Sequence, residues 1–210
     1  MKPLPGADLR TNLATWSVPI ARAPAVARVL LDRLPAEAFD PAFLGQSLAT
    51  AYFDTADFAL RKARRAGNRY LTLRVRCYSA LDGDVYAISA KTEDQKWRAE
   101  IAADVAFALL DGPSRSAEWA GLLPPDLYAR LLGLVGDDPL VPVVTVTCRR
   151  YAVEDLRDRF TLDLGVETDT GKCLPHGILE FKSVNPEAAP PELAGLRPIK
   201  FSKFLWATRP

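Results

Sequence analysis

The chain has 210 residues, 49% hydrophobic and 25% charged, with 27 basic residues against 26 acidic for a net charge of +1. That length supports one well-buried domain, expected over residues 1–210, which needs no disulfide or metal staple. The even charge balance argues against a duplex nucleic-acid binder, which usually carries a broad positive excess. A single histidine, His176, leaves little material for a His-rich zinc site or a Ser-His-Asp triad.

No apolar run reaches the ~18 residues a membrane span needs. The opening MKPLPGADLR has no apolar stretch of the kind a secretory signal carries. Cys77, Cys148 and Cys173 have no CxxC spacing and are odd in number, so no disulfide framework is expected. A reducing cytoplasm is the expected compartment.

In chain order, residues 12–18 suit a short strand ended by Pro19, and 21–34 place Val26, Val29, Leu30 and Leu34 at helical spacing. A loop to Gly45 and a strand over 48–55 follow, and Asp54 to Asp57 reads as a turn or helix cap. Residues 69–79 and 84–91 alternate cleanly around the hairpin signal Asp82-Gly83. A strand over 95–101 completes a meander. Residues 102–135 are helical in pattern, with Pro124-Pro125 opening the last segment. Strands return at 141–152, 159–166 and 177–183, and the apolar stretch Phe201 to Trp206 is expected to dock on the body. The cluster Arg61 to Arg65 reads as a loop or helix end.

Period-2 geometry sorts these strands into faces. Leu71, Leu73, Val75 and Cys77 oppose Tyr70, Thr72, Arg74 and Arg76. Thr145, Thr147 and Arg149 oppose Val144, Val146 and Cys148, while Arg159, Thr161 and Asp163 oppose Phe160, Leu162 and Leu164. Glu180 and Lys182 oppose Leu179, Phe181 and Ser183; Lys91 shares a face with Ser89, and Lys96 with Arg98 and Glu100. A charged face that simply meets water is the plain alternative for any one strand. Against it, the polar faces carry Arg and Thr with few acidic partners, and the helical regions suffice to cover the apolar faces. An α+β fold is therefore expected, an antiparallel β-tunnel with helices packed outside. Converging cations are costly to desolvate unless a dense anion neutralises them, and Arg grips phosphate oxygens bidentately.

Ala51 to Asp57 (AYFDTAD), Arg74-Val-Arg76, Lys91, Arg149, Arg159 to Asp163, Leu179 to Lys182 and Ser202-Lys-Phe204 together resemble a VTC domain. This is the polyphosphate polymerase module of the triphosphate tunnel metalloenzyme, or CYTH-like, superfamily. The resemblance implies a closed or nearly closed antiparallel barrel of about eight strands. By it, Arg74, Arg76, Lys91, Arg149, Arg159, Lys182 and Lys203 hold phosphates, Glu180 and Lys182 are catalytic, and Glu180 with Asp163 holds Mg²⁺ or Mn²⁺. The partners implied are inorganic polyphosphate, tripolyphosphate or ATP. The implied activity is metal-dependent phosphotransfer, either polyphosphate synthesis or triphosphate hydrolysis.

Two departures stand out. The family opens with a charged E-x-K strand, and here residues 12–18 carry no charge; Ser89-Ala90-Lys91 keeps the lysine of a second E-x-K and lacks its glutamate. These missing carboxylates favour a second reading, a non-catalytic polyphosphate-binding or sensing domain. Single-strand nucleic-acid binding ranks third, because the basic residues are expected inward and no aromatic platform is ordered along the strands. Cys77 and Cys148 read as core thiols, Cys173 and His176 as loop residues without a metal, and Tyr52, Tyr70, Trp97 and Trp206 as packing aromatics.

Overall fold

The computed structural model describes residues 11–32, 45–67, 69–80, 83–154, 158–185, 193 and 195–209. The end of the expected first helix, the loop before Gly45 and Asp82 of the hairpin signal lie outside these residues. Contacts divide the chain into two compact units, one of residues 1–46, 149–166 and 174–201, the other of 47–148, 167–173 and 202–210. The strands are β1 (Thr11–Pro19), β2 (Gln46–Asp54), β3 (Thr72–Ala80), β4 (Gly83–Lys91), β5 (Lys96–Ile101), β6 (Val141–Glu154), β7 (Asp158–Thr168), β8 (His176–Ser183) and β9 (Arg197–Pro198). The helices are α1 (Ala23–Asp32), α2 (Ala59–Arg65), α3 (Ala103–Leu110), α4 (Pro125–Val135) and α5 (Lys203–Ala207).

The α+β class holds. The strands form one sheet in the order β5-β4-β3-β2-β6-β7-β8-β1-β9, and the registered pairings are antiparallel. The described residues form nine strands where about eight are expected, and their order is linear, so hydrogen bonding among the described residues does not close the sheet into a barrel. One edge is β9, only two residues long and ending in Pro198, whose nitrogen has no hydrogen to donate to a further strand. The other edge is β5.

In the second unit, β2 to β5 present one apolar face to the helices. Ala51, Phe53, Leu71, Leu73, Val75, Ile88 and Ala90 pack with Ala106 and Leu109 of α3, with Trp119, and with Leu127, Leu131 and Val135 of α4. The α4 residues recur every four positions on one helix face, and Pro125 stands in the first turn, where its missing N–H costs nothing. Trp119 is fully buried, edge-on to Phe53 at 5.0 Å, and its indole N–H donates to Ser114 Oγ at 2.9 Å. Burial and a satisfied polar tip make it a central fastening of this unit.

In the first unit, Trp16 and Val18 of β1, Val153 of β6, Phe160 and Leu162 of β7, and Leu179 and Phe181 of β8 form a separate core with Ala23 and Val26 of α1. Phe160 and Phe181, cross-strand partners, stack at 4.3 Å and 12°.

Helix α2 occupies the stretch read as a loop or helix end. It is only seven residues long, and its start is held by side chains. Asp54, fully buried, accepts from the backbone N–H groups of Thr55 (2.8 Å), Leu60 (2.8 Å) and Arg61 (2.9 Å), while Thr55 Oγ1 accepts from Ala59 N (2.9 Å). Phe58 reaches the helix through a left-handed turn, φ 64°. Asp54→Ala would orphan three backbone donors and should lower the unfolding free energy by about 2–3 kcal/mol, read from urea midpoints. Asp57→Ala, which removes an exposed pair with Lys62 and a hydrogen bond from Thr55 Oγ1 at 2.6 Å, should cost less, about 0.5–1.5 kcal/mol. Burial, outweighing the three N–H groups, raises the Asp54 pKa. Folding therefore favours the protonated carboxyl, and stability relative to Asp54→Asn should rise as pH falls towards 3.8.

Candidate functional site

The polar side of the β2–β5 meander holds the arginines, opposite the face covered by α3 and α4. Backbone register sets the rows across it. One runs Tyr52, Arg74, Ser89, Arg98; the next runs Thr50, Arg76, Ala87, Glu100; a third adds Thr72, Lys91 and Lys96. Five cations thus share adjacent positions on three strands, against the one carboxylate of Glu100. Directly opposed residues lie roughly 5 Å apart at Cβ and diagonal ones about 7–8 Å, so one extended anion can touch several of them.

Along the first row from the β5 edge inwards, Arg98 is exposed, Ser89 1% exposed, Arg74 half-buried and Tyr52 3% exposed, so the half-buried arginine lies between two buried residues. Arg76 is 8% exposed. Desolvation pushes the Arg74 pKa down to about 10, Arg76 beside it pushes the same way, and Tyr52 and Tyr78 offset part of this. Both causes act against the charged form: partial burial removes water from the guanidinium, and a like charge stands two residues along the strand. Arg76 Nη1 donates to the Tyr78 hydroxyl at 3.3 Å, and Arg98 lies 4.6 Å over the Tyr78 ring. Arg76 Nε and Ser89 Oγ are both buried without a hydrogen-bond partner among the described residues.

The tail docks as expected. Phe204 of α5, 2% exposed, packs on Tyr52 at 5.3 Å between centroids, and Tyr52 stands directly opposite Arg74 in the β2–β3 register. Thr208 Oγ1 donates to Phe204 O at 2.7 Å, and Lys172 Nζ donates to Ala207 O at 3.3 Å and to Arg209 O. Lys203 opens α5 and is half-buried. Nothing in strand alternation could have placed it in the same unit as Arg74 and Arg76; the signal was the apolar Phe204 beside it.

The first unit carries the other proposed residues. On the polar side of β7 and β8, Arg159 is registered with Lys182, Thr161 with Glu180, and Asp163 with Ile178; Glu180 also faces Thr15 of β1. Glu180 and Lys182 are half-buried, and Arg159 pairs with Glu154 at 3.4 Å. Arg150 and Asp163 form a buried bidentate pair, Nε to Oδ1 at 2.6 Å and Nη2 to Oδ2 at 2.7 Å. Arg150 lies on the side of β6 opposite Tyr151 and Val153, which pack in this unit's core, and so meets Asp163 on the polar side of β7; of the adjacent pair Arg149-Arg150 it is the second that turns this way, against the face expected for Arg149. Arg149 is exposed and lies on the alternate side with Tyr151. A Cβ on Gly45, at φ 80°, would come 2.4 Å from its Nε.

The donor set does not fit a resident divalent cation. Asp163 spends both oxygens on Arg150, which leaves Glu180 of the two expected ligands, and no group of three His, Cys, Asp or Glu gathers among the described residues. Cys173 is exposed, with Glu167 Oε2 4.0 Å from its Sγ, and Cys148 is buried.

No protein-family model matches the chain, and no curated protein matches its sequence. Its fold is shared with that of a Hippeastrum protein investigated as an adenylyl cyclase and described as having a dominant triphosphatase activity. That likeness has a TM-score of 0.62 at 17% identity and covers 91% of each chain. A candidate adenylate cyclase from Bacillus halodurans aligns at TM-score 0.49 and 14% identity, over 85% of this chain and 83% of its own. The protein PH1819 from Pyrococcus horikoshii aligns at 0.44 and 17%, over 92% and 94%. At these identities the likeness is one of fold.

Removing one member of a buried ion pair strands the other. Asp163→Asn should cost about 3–5 kcal/mol in guanidinium titrations, equally in EDTA and in Mn²⁺. The double replacement Arg150→Met with Asp163→Leu should recover most of that loss. A stable Asp163→Asn protein that had lost only Mn²⁺ binding would instead make Asp163 a metal ligand.

Proposed function

We propose that this chain binds the phosphate run of inorganic tripolyphosphate, polyphosphate or ATP on the polar side of β3, β4 and β5. The carrying observation is the crowding there. Arg74 and Arg76 lie two residues apart on β3, Arg74 is desolvated, and Arg98, Lys91 and Lys96 continue the positive surface on the neighbouring strands. Such a cluster costs free energy when empty, and a run of linked phosphates relieves it with charge-assisted, partly bidentate bonds. The fold shared with a protein described as a triphosphatase supports the same ligand class. So does the resemblance to the VTC and CYTH-like proteins carried by Arg74-Val-Arg76 and Leu179 to Lys182. Three free cysteines suit a reducing cytoplasm. No helix among the described residues is long and apolar enough to cross a membrane.

Phosphotransfer is the second reading, favoured by Glu180 and Lys182 on one polar strand face of the first unit. Lys182, with Arg159 registered beside it, would stabilise charge building on a transferred phosphoryl group. Mg²⁺ or Mn²⁺, when bound with phosphate, would neutralise further charge; the residues present hold none by themselves, and no step is assigned to it.

Tripolyphosphate at a hundred times its Kd should stabilise the fold by about 2.7 kcal/mol, seen as a raised Tm. Arg74→Ala or Arg76→Ala should each weaken binding about ten- to a hundredfold in calorimetry, since each loses a charged contact of about 1.5–3 kcal/mol. An unchanged Tm at millimolar tripolyphosphate would overturn the phosphate site. Phosphate release or chain growth from ATP and tripolyphosphate, with EDTA and with Mn²⁺, separates the two readings. Turnover that needs Mn²⁺ and is lost in Glu180→Gln establishes phosphotransfer, and binding without turnover establishes a binding domain.

A further inference from the structure

Ser89 is a polar residue in the middle of the basic face, yet it is 1% exposed and its buried hydroxyl bonds to nothing among the described residues. On either side in its row stand Arg74 and Arg98; diagonal to it is Arg76, whose Nε is likewise buried and without a partner. Directly opposite Arg76 is Ala87, fully buried and too short to reach either orphaned group. Buried donors in folded chains are almost always satisfied. Two orphans a diagonal apart on one strand face point to an absent acceptor that can take both. Water would accept from the hydroxyl or a guanidinium N–H but would bring no charge to offset Arg74, Arg76 and Arg98. An oxyanion answers both demands, because each of its oxygens accepts several bonds and carries the missing charge.

We infer that Ser89 donates its hydroxyl to a phosphate oxygen, alongside Arg76 Nε and the Arg74 guanidinium, and that this face takes phosphate directly without a bridging divalent cation. The inference rests on the phosphate reading above and names a residue and a mode of binding that it does not. Charge on the face supports the direct mode. The side chains in these rows are cationic or neutral save Glu100, which is exposed on the edge strand, so a divalent cation entering beside Ser89 would meet repulsion from Arg74, Arg76 and Arg98. A carboxylate at position 89 would reverse that preference, and serine preserves it.

The test is calorimetric titration of inorganic tripolyphosphate into the full chain, in EDTA and in Mn²⁺, for wild type, Ser89→Ala and Ser89→Glu. Wild type should bind in EDTA, and Ser89→Ala should bind about tenfold more weakly through loss of one bond to a charged group. Its ligand-free Tm should be unchanged or slightly raised, because an unsatisfied buried hydroxyl has gone; a structural serine would lower it. Ser89→Glu should lose binding in EDTA and regain part of it in Mn²⁺, where the cation bridges carboxylate and phosphate. Should Ser89→Glu fail to fold, Ser89→Ala and its Tm decide alone. Wild-type binding that Ser89→Ala leaves intact overturns the role of Ser89. Wild-type binding that appears only with Mn²⁺ overturns the direct mode. Wild type that binds under neither condition removes the phosphate reading itself, a result distinct from either.

Discussion

Arg74 and Arg76 point the same way from one strand, and their mutual repulsion organises much of what surrounds them. Alternation leaves β3 no choice about this: with Leu73 and Val75 committed to the helix-side core, the residues between must project together. Folding places two guanidiniums side by side, Arg76 buried and Arg74 half-buried. Neighbours soften the arrangement without cancelling it. Tyr52 and Tyr78 offer hydroxyls and ring faces, and the nearest carboxylate in the rows is at the solvent edge. A strand that only had to support a sheet would gain from Thr or Ser at these positions. The stability lost here is recovered on the other face, where Phe53, Trp119 and the α4 leucines are fully or almost fully buried.

The first unit handles charge in the opposite manner. Arg150 and Asp163 satisfy one another at 2.6 and 2.7 Å inside the protein, and Arg159 leans on Glu154. A bidentate pair of this kind is costly to bury but complete once made. The same residue types therefore mean different things in the two units. In one, arginine is internally neutralised and structural; in the other it is left short of acceptors, which is the condition a ligand can exploit.

The strands were legible because apolar faces recur with period 2, and β3, β4 and β8 lie within three residues of where alternation puts them. Helix α2 was legible at its ends, Asp54 to Asp57 as a turn or helix cap and Arg61 to Arg65 as a loop or helix end, but not as a whole, since seven residues carry too little periodicity. Sheet closure was not legible either. It depends on what the terminal strands can donate, and β9, two residues ending in proline, contributes almost nothing. Within the site, alternation found Arg74, Arg76 and Lys91 but treated Arg149 and Asp163 by face alone. Face does not reveal that Arg150, one residue on, claims both oxygens of Asp163. Ser89 was noticed for the carboxylate it lacks, while its burial, which makes the hydroxyl informative, needs coordinates.

The contact of Phe204 with Tyr52 couples two parts of the chain that lie far apart in sequence. A helix of five residues cannot persist alone in water, so α5 exists by virtue of its docking. Tyr52 in turn lies directly across the β2–β3 pairing from Arg74. Anything that immobilises Arg74 thereby firms the surface on which α5 rests, and by thermodynamic reciprocity a well-seated α5 tightens the grip of Arg74. Slowed amide exchange along residues 203–207 would then report occupancy of the arginine row from a distance, and a bulky fusion at the C-terminus would trade directly against it.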